Sequence, residues 1–348
     1  MDTRTKPICI RPANLQSDRA ALIELFRRCL DPTYNSRRFD WLYLEGPHGM
    51  ARAWVAEHPA SGEIVGAAAG FPRKMHCDGN ETVGLVFGDF CMSERFRSLG
   101  PALNLQRACM EAAQESPFEF FYDFPGAGMM AVYKRLGLLQ SGELRRWAKP
   151  IQAERLIRRL VKSRTLSTSL AMIVNFFLAH RGWKGSKNAC KLTYLRGLCG
   201  EEFTEFDQSF REQPGLRTSR TAEYLNWRYL KHPAKRHEII AASRAGELAG
   251  YVVFTDDEKD PSIVDLCAKE TVVAARLLAG AETLLRKRGA ITISLNAGNT
   301  HPWSVLFQGS GFRQRESSPA LLYPTARGRL SEASLRRSWY LMRGERDC

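Results

Sequence analysis

Several things are scarce or missing in this chain. The apolar run 170–179, broken by Asn175, is about half of the twenty or so residues that span a bilayer, so it is not expected to cross a membrane. The first twelve residues, Met1 to Pro12, hold no apolar core of signal-peptide length, so export by that route is not expected. The nine cysteines are scattered, odd in number and without a C-x-x-C pair, which suits reduced thiols in a cytoplasm better than a disulfide framework. The seven histidines form no metal pattern: His232 with His237, His76 beside Cys77, and Cys190 with Cys199 each lack a matched second pair, and no metal site is expected. Acidic residues are also in deficit, 37 against 51 Lys and Arg, for a net charge of +14.

What is present reads as a soluble globular chain, 44% hydrophobic and 25% charged, whose 348 residues suit two domains of about 150 each. The positive charge is unevenly placed. Residues 1–150 hold 19 Lys/Arg against 17 Asp/Glu, residues 151–200 ten against one, and residues 201–348 22 against 19. The expected organisation is therefore a first domain over 1–150, a basic connector over 151–200 and a second domain over 201–348. In the connector, Ile151, Leu156, Ile157, Leu160 and Val161 share one helical face and Arg155, Arg158, Arg159 and Lys162 another. Two readings stay open: an amphipathic helix on an anionic membrane surface through 151–187, or a linker helix with a solvated basic face.

The most telling stretch is Asp89-Phe90-Cys91-Met92-Ser93-Glu94-Arg95-Phe96-Arg97-Ser98-Leu99-Gly100-Pro101-Ala102, followed by a helical run over 103–113. It reads as a buried strand, a short Arg/Gly turn and a helix start, a layout in which backbone N–H groups converge on an anion.

The spacing Arg97-x-x-Gly100-x-Ala102 resembles the R/Q-x-x-G-x-G/A loop of the GNAT acyltransferase family, which cradles the pyrophosphate of acetyl-CoA. Two further stretches match in register: Gly88-Asp89-Phe90-Cys91-Met92 before the loop, and Tyr133-Lys134-Arg135-Leu136-Gly137-Leu138 about thirty residues after it. The strand and helix order over 8–150 is also similar to that of the family. The resemblance implies an α/β (α+β) fold with a mixed, mostly antiparallel central sheet flanked by helices.

An internal repeat extends the resemblance to the second half. Asp40-Trp41-Leu42-Tyr43-Leu44-Glu45-Gly46-Pro47 leads into a hairpin ending Gly62-Glu63-Ile64-Val65-Gly66; Asn226-Trp227-Arg228-Tyr229-Leu230-Lys231-His232-Pro233 leads into one ending Gly246-Glu247-Leu248-Ala249-Gly250. The second copy lacks the Arg-x-x-Gly loop, so two GNAT-like domains are expected, the second degenerate, with one active site in the first. The repeated aromatics Trp41, Tyr43, Trp227 and Tyr229 read as packing residues.

The resemblance implies roles for particular residues. Arg97, Ser98, Leu99, Gly100 and Ala102 would hold the pyrophosphate, with small residues at Gly100 and Ala102 giving access to the amides. Backbone groups at Cys91 and Met92 would meet the pantetheine arm. Tyr133 would stand near the thioester sulfur, where a phenol of pKa about 10 can protonate a departing thiolate of pKa about 8.5. The base would be Asp89 acting through water, or Asp123 on the next strand. Two positions depart from the family pattern: Pro101 brings no N–H to the loop, and Gly126 stands where an Asn is frequent.

The implied function is N-acyl transfer from acetyl-CoA or another acyl-CoA to an amine, such as an amino sugar or a carrier-linked acceptor. Two alternatives follow from the same features: a tandem GNAT-like transferase using aminoacyl-tRNA, to which the basic connector would be suited, and a non-catalytic GNAT-like scaffold. The Arg97–Ala102 loop favours CoA over a nucleic-acid partner.

Overall fold

A computed structural model describes residues 8–114, 117–152, 190–255, 260–326 and 328–346. The basic connector, and with it the expected membrane contact, falls largely outside the described residues. Among these, no helix is long and apolar enough to cross a membrane.

Among the described residues, thirteen strands form one sheet: β1 Cys9–Pro12, β2 Arg52–Glu57, β3 Ile64–Cys77, β4 Asn80–Met92, β5 Phe120–Asp123, β6 Gly142–Pro150, β7 Lys191–Tyr194, β8 Leu216–Thr218, β9 His237–Arg244, β10 Glu247–Thr255, β11 Ser262–Ala268, β12 Thr292–Gly298 and β13 Arg313–Pro324. Their order is β1-β2-β3-β4-β5-β13-β6-β12-β11-β10-β9-β7, with β8 alongside β3. Pairing is antiparallel except between β4 and β5 and between β11 and β12. The sheet is thus mixed and mostly antiparallel, as expected.

The long hairpin of β3 and β4 turns at Asp78-Gly79, both with positive φ, the two-residue geometry that suits the strand twist. Pro72 is tolerated inside β3 because β2 has ended at the level of Gly70, so no strand needs its missing N–H. In the second half Ala245-Gly246, also both with positive φ, turn β9 into β10, the hairpin that the repeat aligns with β2 and β3.

The repeat is visible in three dimensions. Each Trp motif forms a short helix, Ser36–Phe39 or Ala222–Leu225, followed by one wider helical turn, Asp40–Leu44 or Asn226–Leu230. Trp41 and Trp227 stack with ring centroids 4.9 Å apart. The halves also exchange their last strands: β6 pairs with β12 and β13, while the end of β13 pairs with β5 through Leu321–Asp123 and Leu322–Tyr122.

Two layers of side chains lie on the first half of the sheet. Val86 and Tyr122 belong to the layer with Tyr34, Tyr43, Phe71 and Trp227. Leu85, Phe87 and Phe121, one residue out of phase along β4 and β5, belong to the layer under the helices Leu99–Ala113 and Ala127–Arg135, with Leu105, Cys109, Met130 and Tyr133.

Candidate functional site

β4 and β5 pair only through Gly84–Phe120, Leu85–Phe121 and Val86–Tyr122. β5 then ends at Asp123, whereas β4 continues to Met92. A bulge lies in this extension: against β3 the register shifts between Ala67–Cys91 and Ala69–Gly88, and Asp89 has φ +48°. A short polar side chain is among the few that tolerate the left-handed region. Beyond Val86 the β5 side of β4 therefore carries no strand ladder among the described residues, and the two strands part.

The loop leaving β4 makes a tight turn at Glu94–Phe96 and enters the helix Leu99–Ala113. Ser98 occupies the N-cap position in extended backbone, but its side chain makes no capping bond. Arg95, Arg97, Ser98, Leu99 and Gly100 are exposed, and a Cβ added to Gly100 would meet nothing within 4 Å. Pro101 fits the first turn, where an N–H has no helical acceptor. Ala102 is buried and its N–H goes to the Ser98 carbonyl at 3.3 Å. The loop is thus open to solvent, with its small residue facing empty space.

The helix Ala127–Arg135 follows β5 and packs against the first helix. It also starts without a side-chain cap, at Gly126, and Cβ atoms added to Gly126 or Gly128 would meet nothing within 4 Å. Two uncapped helix starts with unobstructed small residues flank the strand ends.

Tyr133 is fully buried. Its hydroxyl donates to Asp123 Oδ2 at 2.6 Å and accepts from Gln106 Nε2 at 3.1 Å. The other Asp123 oxygen accepts from the Phe124 N–H at 2.6 Å. Burial, reinforced by the Asp123 charge, pushes the nearby Cys109 thiol far up.

Asp89 is buried in the opposite layer and accepts hydrogen bonds from Tyr43 at 3.0 Å and Tyr34 at 3.2 Å. Both phenols are raised well above their ordinary range by burial and then by the Asp89 charge. Cys91 and Met92 are buried as well, and the Cys91 thiol is raised by burial.

Of the two candidate bases, the structure places Asp123 on Tyr133 and joins Asp89 to Tyr34 and Tyr43. Sequence reasoning missed Gln106, Tyr34 and the role of Tyr43. Gln106 left a signal: it is a polar residue on the buried face formed by Ala102, Leu105 and Cys109.

The second half repeats this corner in altered form. Asp265-Leu266-Cys267 on β11 stands where Asp89-Phe90-Cys91 stands on β4, and Asp265 accepts from Tyr229 at 3.2 Å and Tyr251 at 3.4 Å. Arg220 adds an ion pair to Asp265 at 2.9 Å and one to Glu345 at 2.6 Å. The following helix, Thr271–Lys287, starts after Glu270, which pairs with Arg244 at 2.8 Å. A carboxylate at that position opposes an incoming phosphate.

No protein-family profile matches the chain, and no curated protein matches it in sequence. Solved structures do match in shape. A probable N-acyltransferase from Enterococcus faecalis, described as a conserved protein of unknown function, superposes with a TM-score of 0.67 at 11% identity, over 92% of this chain and 73% of that one. A GCN5-related N-acetyltransferase from Kribbella flavida gives 0.60 at 15% identity, over 92% and 72%. Saccharomyces cerevisiae N-myristoyltransferase with bound myristoyl-CoA gives 0.56 at 12% identity, over 97% and 86%. With its mixed sheet, the parting of β4 from β5 and an open helix start beyond the bulge, the chain is a protein of the GNAT fold.

Proposed function

We propose that the protein is an N-acyltransferase that moves an acyl group from acyl-CoA to an amine. The observation that carries this reading is the opening between β4 and β5, bordered by the uncapped start of the helix Leu99–Ala113. Helix N–H groups without side-chain partners, together with the positive end of the helix dipole, form an anion site suited to a diphosphate. The Leu99 and Gly100 amides would provide the donors, and the exposed Arg95 and Arg97 would add charge. The unladdered side of β4 near Cys91 and Met92 would pair with an extended amide-bearing arm, as a strand edge does.

Acyl transfer needs a proton for the departing thiolate and a route for the proton that the amine loses. Tyr133 is held by Asp123 and Gln106 in one rotamer, so its hydroxyl is positioned rather than free to swing. Protonating a thiolate would require the phenol to release its bond to Asp123; the phenolate left behind would keep the Gln106 Nε2–H as donor and would be reprotonated by the proton that the amine loses. The N-myristoyltransferase and acetyltransferase neighbours support acyl-CoA as co-substrate in general terms.

Isothermal titration with acetyl-CoA and with longer acyl-CoA esters tests this directly. Wild type should bind at least one of them, and Gly100→Trp, which fills the open space beside the loop, should weaken binding at least tenfold while leaving the melting temperature unchanged. A folded wild-type protein that gives no heat with any acyl-CoA overturns the reading.

A further inference from the structure

β5 reaches its end with a strand on one side only. Its ladder to β4 stops at Val86–Tyr122, whereas its ladder to β13 runs on to Leu321–Asp123. Asp123 is therefore carried on a strand end that β4 no longer holds. Alternation along β5 turns Asp123 toward Tyr133 and turns its two neighbours, Tyr122 and Phe124, into the opposite layer.

What backs that strand end comes from far along the chain. Trp339 is buried in the layer of Tyr122 and Phe124, T-shaped on the Tyr122 ring at 5.4 Å and stacked on the Phe124 ring at 6.1 Å. It thus packs on the residues to either side of Asp123. The Arg346 guanidinium lies 5.7 Å from the same Phe124 ring.

The stretch 338–346 that brings these groups is fastened to the second half. The Leu216 N–H donates to the Ser338 carbonyl at 2.7 Å and the Tyr340 N–H to the Leu216 carbonyl at 2.9 Å, so Trp339 runs alongside β8. The Gly298 N–H of β12 donates to the Leu341 carbonyl at 2.9 Å. Arg228 Nε donates to the Gly344 carbonyl at 2.9 Å, and Arg220 pairs with Glu345 at 2.6 Å. With anchors on both sides of it, the Trp339 ring is a fixed surface.

Its effect reaches the carboxylate through the backbone. Asp123 Oδ1 accepts from the N–H of Phe124, the next residue, at 2.6 Å, and Oδ2 accepts from the Tyr133 hydroxyl at 2.6 Å. A bond from a side chain to the next residue's N–H depends on the dihedrals between the two, so whatever fixes Phe124 also fixes the Asp123 rotamer.

We propose that Trp339 is a positioning residue for acyl transfer: by bracing Tyr122 and Phe124 it holds the Asp123 carboxylate where that carboxylate orients the Tyr133 hydroxyl. The inference rests on the acyl-transfer reading and gives the second half a part in the first-half chemistry. Trp339 acts through Asp123 and not on the substrate.

The test is the rate of CoA release by the full chain from acetyl-CoA and from myristoyl-CoA, with water alone and with glucosamine or lysine as the amine. Trp339→Leu should lower kcat about tenfold, with the KM for the acyl-CoA and its calorimetric affinity unchanged within about twofold. Trp339→Phe, which keeps a ring against Phe124, should recover most of the loss. In an Asp123→Ala background Trp339→Leu should lower kcat by less than about twofold, because the group it positions is gone. A tryptophan that serves stability alone would lower kcat by the same factor in both backgrounds; that result overturns the inference, and so does a wild-type kcat in Trp339→Leu. If Trp339→Leu does not fold, Phe124→Leu removes the ring on the other side of the contact and is read in the same two backgrounds. A wild type that binds neither ester, or releases no CoA above the uncatalysed rate, overturns the acyl-transfer reading and the inference with it.

Discussion

The indole N–H of Trp41 donates to the Trp227 carbonyl at 2.8 Å, and the indole N–H of Trp227 donates to the Trp41 carbonyl at 2.9 Å. The contact is reciprocal, as at a two-fold axis, although both residues belong to one chain. It clamps the two copies of the repeated motif face to face in a buried environment, where each bond is costly to break.

Trp41→Ala should destabilise the protein by about 3–5 kcal/mol through lost burial and an orphaned carbonyl, and Trp227→Ala by a similar amount. Because the two rings share one contact, the double variant should cost less than the two single losses added, with a coupling of about 0.5–3 kcal/mol. Urea unfolding of the four proteins measures it. Strict additivity would show that the stacked pair does not act as a unit.

The Tyr133–Asp123 pair makes a prediction about turnover. If the phenol supplies the proton, Tyr133→Phe should lower kcat by about 10²–10⁴-fold with little change in the KM for acyl-CoA. Asp123→Asn keeps an acceptor for the Tyr133 hydroxyl and should retain more activity. Asp89→Asn, whose partners lie in the other layer, should affect thermal stability more than kcat, and Asp89→Ala should cost about 1–3 kcal/mol by leaving the Tyr34 and Tyr43 hydroxyls without their shared acceptor. Equal kcat for wild type and Tyr133→Phe would remove Tyr133 from the chemistry.

Acid should unfold the protein through a buried imidazole. His301 is 3% exposed and held down to about 3, by burial and then by Arg220. Its folded-state value lies below its unfolded value of about 6.5, so the neutral ring supports the fold above that pH and the support is lost as pH falls toward 3. The loss is about 1.4 kcal/mol per pH unit for this one group. His301→Gln should be less stable at pH 7 yet show a shallower decline between pH 6.5 and 4. Chemical denaturation at several pH values compares the slopes.

Much of the fold was legible in the chain because it rests on local signals. The Trp motif and its Gly-Glu hairpin ending repeated in both halves, and the Arg-x-x-Gly turn marked the start of a helix that the structure places at Leu99. The extent of β3 was not read from the sequence, because Pro72 argues against a strand interior and only the retreat of β2 makes it tolerable there. The exchange of β6 and β13 was also out of reach: both strands have ordinary patterns, and nothing local states which sheet edge each will choose. At the site, the motif pointed to Tyr133, but its partners Asp123 and Gln106 come together only through helix packing. The link from Asp89 to Tyr34 and Tyr43 likewise depends on a bulge that residue types alone do not announce.

The strand exchange sets a timetable for the newborn chain. The wall that carries Asp123 is flanked by β13, whose Leu321 is synthesised long after Asp123 itself. Until then the first half has an unfinished border, a template for unwanted pairing. Joining positions so far apart in sequence is slow. A ribosome-bound chain that already contains Tyr133 and the Arg-Gly turn therefore still lacks this border, and the corner around Asp123 is completed only when β13 has been made.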